Sequence, residues 1–166
     1  LAGFRLLGLP LDGADTQQAQ LILGQIRLPR SLLGIAVGSV LALSGVAMQV
    51  LFRNPLADPG LVGVSGGAAL GAALAIVGGS LIGGLPPAIE PYLLSVSAFV
   101  GGLIVTAVVY RFGRRNGQTD VATMLLAGVA MTAMAGAGVG LFTYLADDAT
   151  LRTLTFWNLG SLNGAS

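Results

Sequence analysis

Asp147 and Asp148 stand side by side, and adjacent carboxylates are the arrangement in this sequence whose residue types come closest to acid–base chemistry. A working carboxylate pair needs an environment that pushes the two pKa values apart. These two close a long apolar stretch at a point where water reaches them, so they read as solvated helix-end residues. The other usual groups are missing by composition: there is no His and no Cys, and every basic residue is an arginine. That removes imidazole bases, thiolate nucleophiles and metal ligands, disulfides, and the lysine that a phosphate-binding loop requires. No catalytic residue, no metal site and no cofactor is expected, and any ATP-driven work belongs to another chain.

The elements that the remaining residues must build are set by hydropathy. Hydrophobic residues make up 54% of the 166 and charged residues only 9%, which excludes an ordinary soluble domain, in which about a quarter of the residues are charged. A net charge of +1 offers no basic field for nucleic acid, and none is expected as a partner. The charges cluster, leaving uncharged stretches of about 20 residues, the length that crosses about 30 Å of hydrocarbon. Four spans follow: Ser31 to Phe52, Leu61 to about Gly83, about Pro91 to Tyr110, and Val121 to about Ala146. The fold class is all-α, a polytopic transmembrane helix bundle in a lipid bilayer.

Connections are marked by breakers and caps. Ala14 to Ile26 reads as a short amphipathic surface helix, capped by Asp15 with Gln18 in capping-box spacing, and is too polar to span. RLPR (Arg27 to Arg30) separates it from the first span. In RNPLADPG (Arg53 to Gly60) two prolines hold Asn54 and Asp58 extended, and Asp58-Pro59 starts a helix with cap and first-turn residue in order. The Gly83 to Pro87 run and the Arg111 to Asp120 loop divide the later spans. Leu151 to Ser166 is apolar but too short to cross, and reads as a short surface helix with Trp157 as an interfacial anchor. Arginines number four on one side against three on the other, or four against four with Arg5, so charge alone barely orients the chain.

Glycine recurs at four-residue spacing: Gly34 with Gly38, Gly63 with Gly67 and Gly71, and Gly136 with Gly140. In lipid, where no hydrophobic force joins helices, such small faces let backbones approach. The spans contain no Asp, Glu, Lys, Arg or His, which argues against a proton-coupled carrier. Ser39, Ser44, Gln49, Ser65, Thr106, Thr132 and Thr143 remain to bond neighbouring helices or line a weakly polar path.

Three segments together resemble the FecCD-type permeases of binding-protein-dependent ABC importers for iron chelates, haem and cobalamin. They are QIRLPRSLLGIAVGSVLALSGVAMQVLFRNPLADPGLVGVSGGAALG (Gln25 to Gly71), MLLAGVAM (Met124 to Met131) and LRTLTFWNLGSL (Leu151 to Leu162). The resemblance implies about half of a subunit of roughly ten spans, working as a pair with a second permease subunit, as a homodimer. It also implies cytoplasmic ATPase subunits, a periplasmic substrate-binding protein and a place in the bacterial inner membrane. On that topology 1–30 is a periplasmic loop with a short amphipathic helix, 31–146 holds four transmembrane helices, and 147–166 is a short interfacial helix on the periplasmic side.

By position, the resemblance makes Arg27 and Arg30 docking residues for the binding protein. Asn54 and Leu56 match one part of a cytoplasmic gate, and Asp120, Val121 and Ala122 the other, where the small hydroxyl residues of the cobalamin branch are replaced. The run from Leu145 to Ser161 is most similar to the haem branch, with ferric siderophores next and cobalamin third. Two readings from other classes stay open: a secondary transporter or channel not driven by ATP, which the uncharged spans count against, and a membrane-embedded enzyme, which would need an ionisable cluster at one membrane face.

Overall fold

A computed structural model describes residues 18–81, 89–115 and 118–162. The described chain is almost wholly helical, as an all-α polytopic bundle requires. Its helices are α1 (Gln18–Phe52), α2 (Val64–Leu81), α3 (Glu90–Gly113), α4 (Val121–Leu145) and α5 (Asp148–Leu159). The first four are long and apolar enough to cross a membrane. Beside them stand a short 3-10 helix, Pro59–Val62, and an antiparallel ladder pairing Arg114 with Thr119 and Arg115 with Gln118.

The chain forms two compact units, Leu1–Leu43 with Ser161–Ser166, and Ser44–Gly160. The described part of the first unit is the leading portion of α1 with Ser161 and Leu162, and in α1 the expected break at RLPR is absent. The helix runs on through Pro29 because a π-helical turn, Ile22–Arg27, precedes it, with the Leu28 N–H donating to the Leu23 carbonyl five residues back. Proline has no N–H to give and crowds the preceding turn, and a wider turn there relieves both defects. The short surface helix expected from Ala14 is therefore, from Gln18 onward, the first part of α1; Asp15 lies outside the described residues, as does the Gly83 to Pro87 run.

In the second unit α2 packs most extensively on α3, then on α4. The contact is built from small residues: Gly67, Gly71, Ala72 and Ala73 of α2 are all buried. A Cβ on Gly71 would run into the Ser97 carbonyl, and one on Gly128 into the Leu61 carbonyl. Large side chains point away, so that Leu74, Leu103, Leu126 and Leu141 are all more than half exposed. Helices apolar on every side with their small residues turned inward are what a bilayer, and not water, selects.

The second span starts later than expected. Asp58 does cap a helix, its Oδ1 accepting from the Gly60 N–H at 2.7 Å, but that helix is the 3-10 turn. Gly63, at φ 79°, ends the turn in the left-handed region, and α2 begins after it. The expected terminal helix is also shifted: α5 begins at Asp148, and its Leu154 is buried with Ala73 and Val77 of α2.

Candidate functional site

The Arg53-to-Val62 connection is held by backbone and side-chain bonds within itself. α1 ends with Arg53 at φ 48°, in the left-handed region, with its N–H on the Val50 carbonyl at 3.3 Å and the Asn54 N–H on the Gln49 carbonyl at 3.1 Å. This paired closure commonly uses glycine, and an arginine there accepts a left-handed backbone at a cost of about 1 kcal/mol. Next, Asn54 Oδ1 accepts from the Leu56 N–H at 2.9 Å, and the Asn54 carbonyl from the Ala57 N–H at 3.1 Å. The outcome is a turn that throws Leu56 outward, 85% exposed, while the next residue, Ala57, is buried.

The second segment is built the same way. The Asp120 N–H donates to the Gly113 carbonyl at 2.8 Å, across the two-stranded ladder. Its carboxylate caps α4, accepting from the Ala122 N–H at 3.1 Å and the Thr123 hydroxyl at 2.5 Å. Val121 is half-buried and Ala122 exposed. Both segments rest on one apolar cluster, in which Phe52, Ala57 and Val62 from the first meet Val105, Val109 and Met124, with Val121 and Leu125 against them. The structure thus brings Asn54, Leu56, Asp120, Val121 and Ala122 to one end of the second unit, with the Leu56 side chain left free of the core.

Arg27 and Arg30 lie one turn apart on α1. Arg27 is exposed; Arg30 is half-buried, and its Nε is buried without a hydrogen-bond partner. At the start of α5, Asp147 and Asp148 are both exposed. Asp147 caps the helix, Oδ1 accepting from the Thr150 N–H at 2.9 Å. Hydrogen bonds from the Thr150 side chain, and then its backbone, hold the Asp147 carboxyl below its ordinary pKa. Trp157 is half-buried near the end of α5, and its carbonyl accepts from the Gly160 N–H at 3.0 Å. Among the described residues no cluster of His, Cys, Asp or Glu could hold a metal ion.

The glycines divide. Gly63, Gly67 and Gly71 meet neighbouring helices, Gly34 touches only the Leu162 side chain, and Gly38, Gly136 and Gly140 have nothing within 4 Å of an added Cβ. Gly101, Gly102 and Gly128, which the spacing argument passed over, supply the other half of the close contacts. Ser97 and Gly101, four apart, carried the same small-residue signal. Thr106, Thr132 and Thr143 do not bond neighbouring helices: each hydroxyl donates at 2.8 Å to a carbonyl four residues back on its own helix.

Comparison with known proteins agrees with this architecture. The chain is 49% identical over 140 residues to the hemin transport system permease protein HmuU of Yersinia pestis, covering 84% of this chain and 41% of that protein. It is 43% identical over 157 residues to the cobalamin import system permease protein BtuC of Halobacterium salinarum, covering 94% of this chain and 40% of the relative. Among solved structures it is similar to an inward-facing metal-chelate type ABC transporter, with a TM-score of 0.74 and 34% identity over 91% of this chain and 45% of that one. The chain therefore spans less than half the length of these relatives. Four apolar spans of matching sequence make it an integral membrane protein, and a match to the FecCD transport family over residues 6–166 shows that the chain belongs to that family.

Proposed function

We propose that this chain is part of the permease subunit of an ATP-driven ABC importer in a bacterial inner membrane, and that the complete permease moves haem from periplasm to cytoplasm. The observation that carries the haem reading is the 49% identity to a hemin permease, against 43% and 42% to permeases for cobalamin and vitamin B12. A ferric siderophore is the next cargo and cobalamin the third. ATP hydrolysis falls to cytoplasmic ATPase subunits, cargo recognition to a periplasmic binding protein, and the pathway is shared with a second permease subunit as a homodimer.

In this reading Arg27 and Arg30 meet carboxylates on the docked binding protein. Charges at such a rim act mainly on encounter rate and orientation and weaken with salt. Residues 1–30 and 147–166 then lie toward the periplasm, with Trp157 at the membrane interface, and the Arg53 and Arg111 connections face the cytoplasm. Leu56, presented by the Asn54 turn, closes the cytoplasmic end as an apolar plug. Asp120 fixes the second half of that gate by capping α4, so that Val121 and Ala122 present a small, neutral wall. A neutral wall passes a large cargo without holding it tightly, and ATP binding elsewhere sets which end is open.

The test is uptake by proteoliposomes holding the full-length permease with its ATPase and binding protein, comparing haem with a ferric siderophore, with and without ATP. Haem uptake only with ATP is the expected result. Uptake that ignores ATP would overturn the importer reading in favour of a secondary transporter or channel; ATP-dependent uptake of the siderophore but not haem would overturn only the cargo.

A further inference from the structure

A cavity of about 630 Å³ opens at the loop end of α3, lined by Ala107, Val108, Tyr110, Arg111 and Arg114. Ala107, Tyr110 and Arg111 follow at three- and four-residue spacing on α3, which sets them in order along one side of the helix, and Arg114, extended in the ladder, comes just past the helix end. The deeper end is aliphatic, the middle carries a phenol, and the outer end carries two guanidinium groups on exposed side chains. The backbone at Arg114 is fixed in place. It pairs with Thr119 in the ladder, and the preceding Gly113 carbonyl accepts from the Asp120 N–H. Asp120, the nearest acidic residue along the chain, has its carboxylate engaged by the Ala122 N–H and the Thr123 hydroxyl.

From this layering we propose that the cavity binds one anionic phospholipid, with its phosphate between Arg111 and Arg114, its glycerol region beside Tyr110 and the start of an acyl chain against Ala107 and Val108. Guanidinium groups match phosphate oxygens with paired N–H donors, and a tyrosine suits the headgroup depth of a bilayer. A free inorganic phosphate would use the arginines but leave the aliphatic end of the cavity without a role. The inference is independent of which cargo the permease carries.

The test uses the full-length permease with its ATPase in nanodiscs of phosphatidylcholine with and without phosphatidylglycerol, counting retained lipids by native mass spectrometry. Wild type should retain phosphatidylglycerol in preference to phosphatidylcholine, and inorganic phosphate should not displace it. The Arg111→Gln/Arg114→Gln variant should bind it about tenfold or more weakly, since each basic residue at an anionic surface contributes roughly a fivefold factor. Ala107→Trp keeps both arginines and alters only an exposed position, yet should lose retention by filling the aliphatic end. Unchanged retention in Ala107→Trp would overturn the site in favour of a diffuse charge effect. Displacement by inorganic phosphate would reduce it to a free-anion site, and retention indifferent to all three substitutions would place the bound lipid elsewhere.

Discussion

Gly67 of α2 and Gly101 of α3 meet backbone against backbone: a Cβ on Gly67 would stand 2.5 Å from the Gly101 carbonyl oxygen, and one on Gly101 would collide with the Gly67 carbonyl. The neighbours are rigid main chain on both sides, so neither helix can yield without moving as a whole. Gly67→Ala or Gly101→Ala is expected to destabilise the full-length permease by about 1–3 kcal/mol, the usual cost of overpacking. Gly38→Ala, with nothing within 4 Å of the added methyl, should change stability by no more than about 0.5 kcal/mol. Thermal unfolding in detergent compares the three; equal melting temperatures for all would show that the α2–α3 contact is not what holds these helices.

Leu56 and Ala57 are adjacent, yet opposite in consequence. Leu56→Ala removes an exposed side chain and should leave stability within about 0.5 kcal/mol, while changing uptake if Leu56 closes the pathway. Ala57→Leu forces volume into the cluster around Phe52, Val105 and Met124 and should cost about 1–3 kcal/mol. Unfolding and uptake measured on both variants separate the roles. A Leu56→Ala protein that melts early would mean that the side chain is buried in the complete subunit.

Capping by Asp120 is open to a direct check. Asp120→Ala removes an acceptor for both the Ala122 N–H and the Thr123 hydroxyl, and should lower stability by about 1 kcal/mol, as cap removal commonly does. Asp120→Asn, which keeps one carbonyl acceptor, should lose less. If the two variants lose equally, the charge matters more than the cap bond, and salt should then narrow the difference from wild type.

The Asp147 cap carries a pH signature. Its folded carboxyl is held below its ordinary value by the Thr150 hydrogen bonds, so folding favours the deprotonated form. The stabilisation is fully present above the unfolded carboxylate value and disappears as pH falls through the lower, folded value. Between pH of about 5 and about 3 the wild type should lose more stability than Asp147→Asn, whose side chain does not titrate there. Parallel melting temperatures across that window would remove the carboxylate from the account.

Arg27→Glu/Arg30→Glu should slow binding-protein-dependent uptake, with the wild-type advantage shrinking as salt rises, because exposed charges more than about 10 Å apart are screened at 0.1 M. Stopped-flow association of the binding protein with permease discs measures this directly. An unchanged association rate would assign the two arginines to anchoring of the helix end.

The sequence by itself determined the solvent and the number of spans, because both follow from apolar runs about 20 residues long; the structure lengthens two of those helices past the expected ends, so that α1 takes in Arg27 and Arg30 and α3 takes in Arg111. It also marked Asp58 as a cap, a local effect that needs no distant partner; Asp120 and Asp147 cap helices through their own side chains in the same way, but the sequence shows them only as a loop end and a solvated helix end. Tertiary structure decided which glycines touch. Four-residue spacing says that a helix has a small face but not which way that face turns, so Gly67 and Gly71 meet Gly101 and Ser97 while Gly136 and Gly140 face open space. The continuity of α1 through Pro29 was likewise hidden, since a π turn leaves no residue signature as plain as the proline that it accommodates. Apart from the family resemblance, which paired the two segments as parts of one gate, nothing in residue type or spacing could show that Asn54 and Asp120, 66 positions apart, carry their turns to the same apolar cluster. That meeting depends on helices whose facing surfaces are nearly all small, where close approach of backbones and not a hydrophobic stripe chooses the neighbour.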